Sequence, residues 1–418
     1  MVAAMSLGFG GISAASDATH PSVVSTTPAT FTPNLVNDGS FRPYSSTINQ
    51  AGSHIIVGGK FNRVENSQRT VEYARNNVFA FNATTGVVSP FAPTVDKQVW
   101  TVLGNGDDVY IGGEFSTVNG QARPYLAKLS LSTGQLDPAF KPTLPGGRVT
   151  DLELSHGQLF VSGAFKKKLT AINPNTGAAS SYLNVPFTEA LEYTTRVDVF
   201  RFDVSPDGKH LVAVGNFRTV GGQRHYRVAM LDLGPTSAAV SPWYYQPAER
   251  DCHAAAVHPV YQYYVKDVDF SPDGQFFNVA STGGHRINGE GPGQVLCDAV
   301  ARFSVNNLRP IVPHWINYTG GDTLHSVIDT GPAVYVQGHS RWLDNPQGVD
   351  NAGPGAVSRP GGGAINALTG KALPWNPRMA AAKGGYQMYA NNQGVWFATD
   401  GTYFGGEYKL GLRMAPLP

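Results

Sequence analysis

Seven short segments of this chain share one pattern of apolar and polar positions: Ser45-Ser46-Thr47-Ile48, Val99-Trp100-Thr101-Val102, Val149-Thr150-Asp151-Leu152, Val199-Phe200-Arg201-Phe202, Val265-Lys266-Asp267-Val268, Leu324-His325-Ser326-Val327 and Gly385-Tyr386-Gln387-Met388. The fourth position is apolar in every copy and the third is polar in every copy. Successive side chains of a β-strand point to opposite faces, so these two columns face opposite ways. The fourth column is expected to pack between sheets. The third is expected to ring an axial channel. Most segments run into a turn such as Gly104-Asn105-Gly106 or Ser205-Pro206-Asp207-Gly208, then into a second apolar strand such as Val109-Tyr110-Ile111. Residues of these turns accept positive φ, so each unit opens with a hairpin.

A second phrase repeats behind the first. It reads Val57-Gly58-Gly59-Lys60-Phe61, Ile111-Gly112-Gly113-Glu114-Phe115, Val161-Ser162-Gly163-Ala164-Phe165 and Val214-Gly215-Asn216-Phe217. A Pro-aromatic phrase closes most units, as in Ser89-Pro90-Phe91 and Leu373-Pro374-Trp375. A period of roughly 50–60 residues made of short strands predicts radial β architecture. The fold expected is all-β: a single β-propeller of seven blades over residues 34–418. The last unit, from Gly384, is short. The segment around Leu35 to Phe41 is expected to supply its outer strand and close the ring, which would remove exposed sheet edges.

The phrases Gly112-Gly113-Glu114-Phe115-Ser116-Thr117-Val118-Asn119-Gly120, Leu126-Ala127-Lys128-Leu129 and Thr133-Gly134-Gln135-Leu136-Asp137-Pro138-Ala139-Phe140 resemble the delta-sixty-type repeat of exported bacterial β-propellers. Val220-Gly221-Gly222-Gln223 with Val228-Ala229-Met230-Leu231 is a further copy. The resemblance is strongest over residues 52–247 and weakens where the later units carry long insertions. It implies a secreted or surface-attached propeller. It implies no particular activity and carries over no catalytic residue.

Composition narrows the classes. Of 418 residues, 48 are Gly, 29 are Pro and only 15% are charged, which suits many short strands and argues against long helices. A formal net charge of +1 gives no reason to expect nucleic acid as a partner. Residues 1–18 read as a signal-like leader, with an apolar core and a small-residue end but no basic front, the first Lys or Arg being Arg42. Residues 19–33, rich in Ser, Thr and Pro, read as a flexible linker. No later apolar run approaches the roughly 20 residues that span a bilayer. The expected location is secreted or cell-surface. Two cysteines in an exported chain, Cys252 and Cys297, are expected to form one disulfide. His253 and His258 lie near Cys252, but the spacing fits no common zinc pattern and no metal or cofactor is expected.

Candidate ligand-binding residues come from the second and third columns. Asp151, Arg201 and Asp267 occupy equivalent places on successive units and are expected to converge on the axis, either as an ion-pair plug or as a polar site. Thr101, Ser326 and Gln387 belong to the same column. The second column holds Ser46, Trp100, Thr150, Phe200, Lys266, His325 and Tyr386, which would furnish aromatic rings, a lysine and a histidine to one channel mouth. Aromatic faces beside donors suit sugar rings. The long insertions Thr282–Gln294 and Arg341–Gly363, with residues beside them, add His285, Arg286, Glu290, His339, Arg341, Trp342 and Asp344 as surface candidates. No Walker loop, dinucleotide glycine pattern, nucleophile elbow or His-Glu-x-x-His occurs. The function expected is non-catalytic binding of an extracellular glycan or cell-envelope component by a monomer. The alternatives are a polysaccharide hydrolase or lyase using Asp151, Asp267 or His325, and a protein-interaction scaffold.

Overall fold

The structure, a computed structural model, describes residues 18–144, 146–252, 262–285, 295–306, 309–379 and 384–418. Strand follows strand along them, and the described residues contain no α-helix, only a 3₁₀ turn at Gln246–Glu249. The seven segments become the first strands of seven antiparallel sheets: Tyr44–Ala51, Val99–Asn105, Val149–Ser155, Val199–Val204, Val265–Phe270, Leu324–Asp329 and Gly385–Asn391. A hairpin partner and a third strand follow each, so the sheets are meanders. The fourth and fifth sheets add a fourth strand, at Ala238–Val240 and Trp315–Tyr318. In the first, second, third and sixth a single bridge, such as Phe81 with Val88, takes its place. Among the described residues no sheet closes on itself. Each first strand lies against the first strand of the next sheet, and that of the seventh lies against that of the first. The architecture is all-β and propeller-like.

The apolar column does what alternation predicts. Ile48, Val102, Leu152, Phe202, Val268, Val327 and Met388 are each at most 6% exposed and sit between neighbouring sheets. Burying a side chain of this size stabilises by roughly 1.5–3 kcal/mol. One such cluster joins Ile56, Val78 and Ala80 of the first sheet to Val99, Val102, Val109 and Ile111 of the second.

One regularity escapes the strict alternation of a strand. In all seven first strands the pairing register slips between the first and third positions, at Ser45/Thr47, Val99/Thr101, Val149/Asp151, Val199/Arg201, Val265/Asp267, Leu324/Ser326 and Gly385/Gln387. The second-column residue is the extra one, so each strand carries a β-bulge there. The repeated glycine phrase answers the bulge from the neighbouring strand. Gly59, Gly113, Gly163, Gly215 and Gly338 pair with the first-position residues. A Cβ on any of them would lie 2.1–2.2 Å from the carbonyl oxygen of the residue that precedes the first position (Tyr44, Gln98, Arg148, Asp198 or Thr323). A side chain at these five positions would crowd that carbonyl, whereas in the fifth and seventh sheets the backbone admits Ser281 and Thr399 at the same place.

Residues 19–33, expected as a flexible linker, are packed against the seventh sheet. The Ser25 and Ala29 N–H groups donate to the Pro416 and Met414 carbonyls, at 2.7 and 2.9 Å, and His20, Val24, Ala29 and Thr32 are buried. This segment occupies the outer edge of the last sheet, and of the expected Leu35 to Phe41 it is Leu35 that reaches the start of its third strand, its N–H donating to the Leu410 carbonyl at 3.0 Å. Asn34–Leu35 also pairs with Arg63–Glu65 in a small accessory sheet. The physical reason is the open edge: the third strand of the last sheet, Leu412–Pro416, needs a partner for its outward carbonyls.

Cys252 and Cys297 form the disulfide, with a Cα–Cα distance of 5.6 Å, buried beside Trp243, Tyr245, Tyr263 and Val295. Residues 1–17 of the leader lie outside the described residues, as do His253, His258, Arg286 and Glu290. Among the described residues no helix is long and apolar enough to cross a membrane.

Candidate functional site

A bulge turns its extra side chain out of the sheet's alternation, and seven of them in a ring of first strands have one consequence. Trp100, Thr150, Phe200, Lys266, His325 and Tyr386 all line a single funnel of about 430 Å³. Each is half-buried. Ser46, the seventh, is buried, and its hydroxyl donates to the Val99 carbonyl at 2.6 Å. Thr150 repeats that bond to the Val199 carbonyl at 3.1 Å.

The rings form walls in two places. Tyr386 stacks on Tyr44 with centroids 5.0 Å apart, and the Tyr44 hydroxyl donates to Gln98 Oε1 at 2.8 Å. The Phe200 and Tyr264 centroids are also 5.0 Å apart. Cations lie over these faces. The Lys266 ammonium is 4.6 Å from the Tyr264 centroid and 5.3 Å from that of Phe200, and the Arg148 guanidinium is 5.7 Å from Trp100. His325 faces His339 with 5.8 Å between ring centroids. The Trp100 indole N–H is buried with no hydrogen-bond partner among the described residues.

Below the funnel, residues from all seven first strands enclose an axial cavity of about 70 Å³. Asp151, Arg201, Asp267 and Gln387 line it, together with Glu153, Asp203 and Asp269. Arg201 Nη1 donates to Asp151 Oδ1 at 3.1 Å, so acid and base are paired across two sheets. Most of these acceptors share a further task. A first strand is the inner edge of its sheet, and alternate N–H groups there have no ladder partner. Side chains of the preceding sheet take them. Thr47, Asp151, Asp267 and Gln387 accept from the N–H of Val102, Phe202, Val327 and Ile48, all at 3.0–3.1 Å. Two residues further along, Asn49, Glu153, Asp203 and Asp269 accept from Gly104, Val204, Phe270 and Asp329 at 2.6–3.1 Å. The polar column therefore clasps one sheet to the next, and the Gln387–Ile48 bond clasps the seventh to the first.

Burial sets the electrostatics of this cavity. It pushes the Asp267 carboxyl up from 3.8 to about 7, against the nearby Arg201 charge. It raises Asp151 likewise, with Arg201 again opposing. Asp269 is raised by burial and then by the Asp203 charge. The sign for stability follows. The unfolded chain releases the Asp267 proton near pH 3.8 and the folded chain holds it to about 7, so this group's contribution to stability falls as pH rises between those values. Asp267→Asn keeps an acceptor for the Val327 N–H. It is expected to gain about 3 kcal/mol relative to the parent between pH 4 and pH 7. Urea melts at the two pH values check this; an unchanged difference would contradict it.

Of the residues singled out from the sequence, Trp100, Arg201, Lys266, His325 and Tyr386 meet in the funnel, and Asp151, Asp267 and Gln387 meet on the axis with Arg201. Thr101 and Ser326 are buried in their strands and line neither space. Trp342 sits outside the funnel, under the Arg341 guanidinium at 4.3 Å. Sequence reasoning missed Arg148, Asp198 and Tyr264, which line the funnel one residue before the first position. They were recoverable, since that position shares a face with the second column. It missed Tyr193, Arg196 and Gln262 for another reason: they come from loops with no repeat to align.

Residues 108–140 match a family model described as a domain of unknown function (DUF5122), a β-propeller. That segment is the second and third strands of the second sheet with the ribbon between them. A search by sequence among curated proteins finds no match. Among solved structures, hydrazine synthase of Kuenenia stuttgartiensis superposes with a TM-score of 0.51 at 14% identity, over 90% of this chain and 98% of that one. The β-propeller domain of Myceliophteria thermophila Cps50 (Swd1) gives 0.41 at 8% identity over 70% and 80% of the two chains. The computationally designed Ika8 protein gives 0.44 at 10% identity over 92% and 99%. At such identity the first likeness speaks to the fold alone.

Proposed function

We propose that this chain is a secreted, monomeric, seven-bladed β-propeller of the delta-sixty type that binds a glycan or other cell-envelope component in the funnel, without catalysis. One observation carries the reading. A bulge is repeated in every first strand, six of the seven send their side chain to the same mouth, and there the sequence departs from its own repeat. Positions one and four keep their mostly apolar character from unit to unit, while position two runs through Ser, Trp, Thr, Phe, Lys, His and Tyr. Aromatic faces with nearby cations and hydroxyls suit a sugar ring, whose C–H face packs on the aromatic while its hydroxyls find donors.

Supporting closure of the ring are the clasp from Gln387 to Ile48 and the edge pairing of Ser25 and Ala29. Supporting export are the leader-like start and the buried disulfide. Supporting a non-catalytic role is the occupation of Asp151 and Asp267 as backbone acceptors below the funnel. A glycan array probed with the parent protein and with Trp100→Ala and Tyr386→Ala tests the reading. Each variant is expected to weaken binding of the array's best ligand by about tenfold or more, the loss of one stacked ring. Undiminished binding by both would overturn the assignment of the funnel.

A further inference from the structure

The geometry points to an anionic glycan end as the ligand, held by Lys266; this rests on the glycan reading above. Among the described residues four Lys or Arg cations stand at the funnel: Arg148, Arg196, Arg201 and Lys266. Three have carboxylate partners, in Glu114 at 3.5 Å, Asp198 at 3.0 Å and Asp151 at 3.1 Å. Lys266 has no ion pair among the described residues. Its ammonium is instead held by the faces of Tyr264 and Phe200. A cation–π contact fixes the position of an ammonium without consuming its three N–H donors. A half-buried lysine with donors to spare, set between two aromatic walls, is completed by an anion. Compact and strongly hydrated, an ammonium suits a single carboxylate, sulfate or phosphate group on a sugar.

The floor decides how much of the ligand enters. Beneath the funnel the space narrows to the axial cavity of about 70 Å³, crossed by the Arg201–Asp151 pair. A polysaccharide cannot thread through it. The funnel itself, about 430 Å³, is of ordinary small-ligand size. The site therefore accepts the terminal unit of a chain, with the charge on that unit.

Calorimetric titration of the full chain tests this. The probes are trigalacturonate, its methyl ester, a longer galacturonate oligomer, and hexose sulfate and phosphate. Trigalacturonate is expected to bind about tenfold tighter than its ester. Lys266→Met should cost the acid about tenfold and the ester only about twofold, Lys266→Arg should restore most of the preference, and added salt should shrink it. Affinity per chain should not grow with oligomer length. Tighter binding of the sulfate or phosphate would keep the anion site and assign the ester as its source. Equal binding of acid and ester, equal weakening of both by Lys266→Met, affinity rising with length, or tighter binding of single-stranded nucleic acid would each overturn the inference. If neutral saccharides bind without charge preference, this inference fails and the glycan reading stands. If no saccharide binds, both fail.

Discussion

Replacing Cys252 and Cys297 together by serine is expected to lower the unfolding free energy by about 4 kcal/mol. The bond closes a loop with a sequence separation of 45, and the entropy that a loop of this size removes from the unfolded chain sets the estimate. Both sulfurs are buried in the cluster that holds Tyr263. The Tyr263 carbonyl accepts from the Tyr193 hydroxyl at 2.6 Å and from Arg227 Nε at 2.9 Å. Tyr264 and Lys266 follow directly in sequence and enter the funnel. The effect should therefore reach the site, with weaker ligand binding alongside lower stability. Urea melts of parent and double variant, repeated with reducing agent, measure it. The parent under reduction should behave like the variant, and a loss below about 1 kcal/mol would contradict the role given to the bond.

Gly113→Ala is expected to destabilise by about 3 kcal/mol, at the upper end for overpacking. The new Cβ would sit 2.2 Å from the Gln98 carbonyl oxygen, across the bulge that presents Trp100. Gly338→Ala should behave alike, through the Thr323 carbonyl at 2.2 Å, beside the bulge of His325. Gly106, in an open turn with φ 63° and nothing within 4 Å of where a methyl group would sit, is the control. Its alanine variant should lose only about 1 kcal/mol, the ordinary penalty for left-handed backbone. Thermal melts of the three distinguish crowding from conformation. Equal losses would show that the glycine phrase serves turn geometry and not the bulge.

These two effects bear on how much was legible in the sequence. The apolar fourth column and its burial followed from period-two alternation, as did the inward-facing Asp151, Arg201 and Asp267. The bulge did not, because it is a property of pairing: Trp100 becomes an extra residue only relative to Gly112 and Gly113 on the next strand. Alternation alone would have turned Trp100 and Lys266 to the same face as Val102 and Val268. The glycine phrase was the visible trace of the bulge, a repeat whose cause lies in the neighbouring strand. The inter-sheet clasp was also hidden. Asp203 and Asp269 lie two positions beyond Arg201 and Asp267, on the same face, but their partners are backbone N–H groups, which no sequence displays. The packing of residues 19–33 was concealed by composition, since Ser, Thr and Pro serve an edge strand as readily as a loose tether.

The funnel is tested most directly by a crystal structure of the protein grown with the best-bound saccharide. The terminal sugar should rest on Trp100 or Tyr386, with its charged group at the Lys266 ammonium. A saccharide seated instead in the apolar groove of Leu144, Phe165 and Phe187, with the funnel empty, would contradict it.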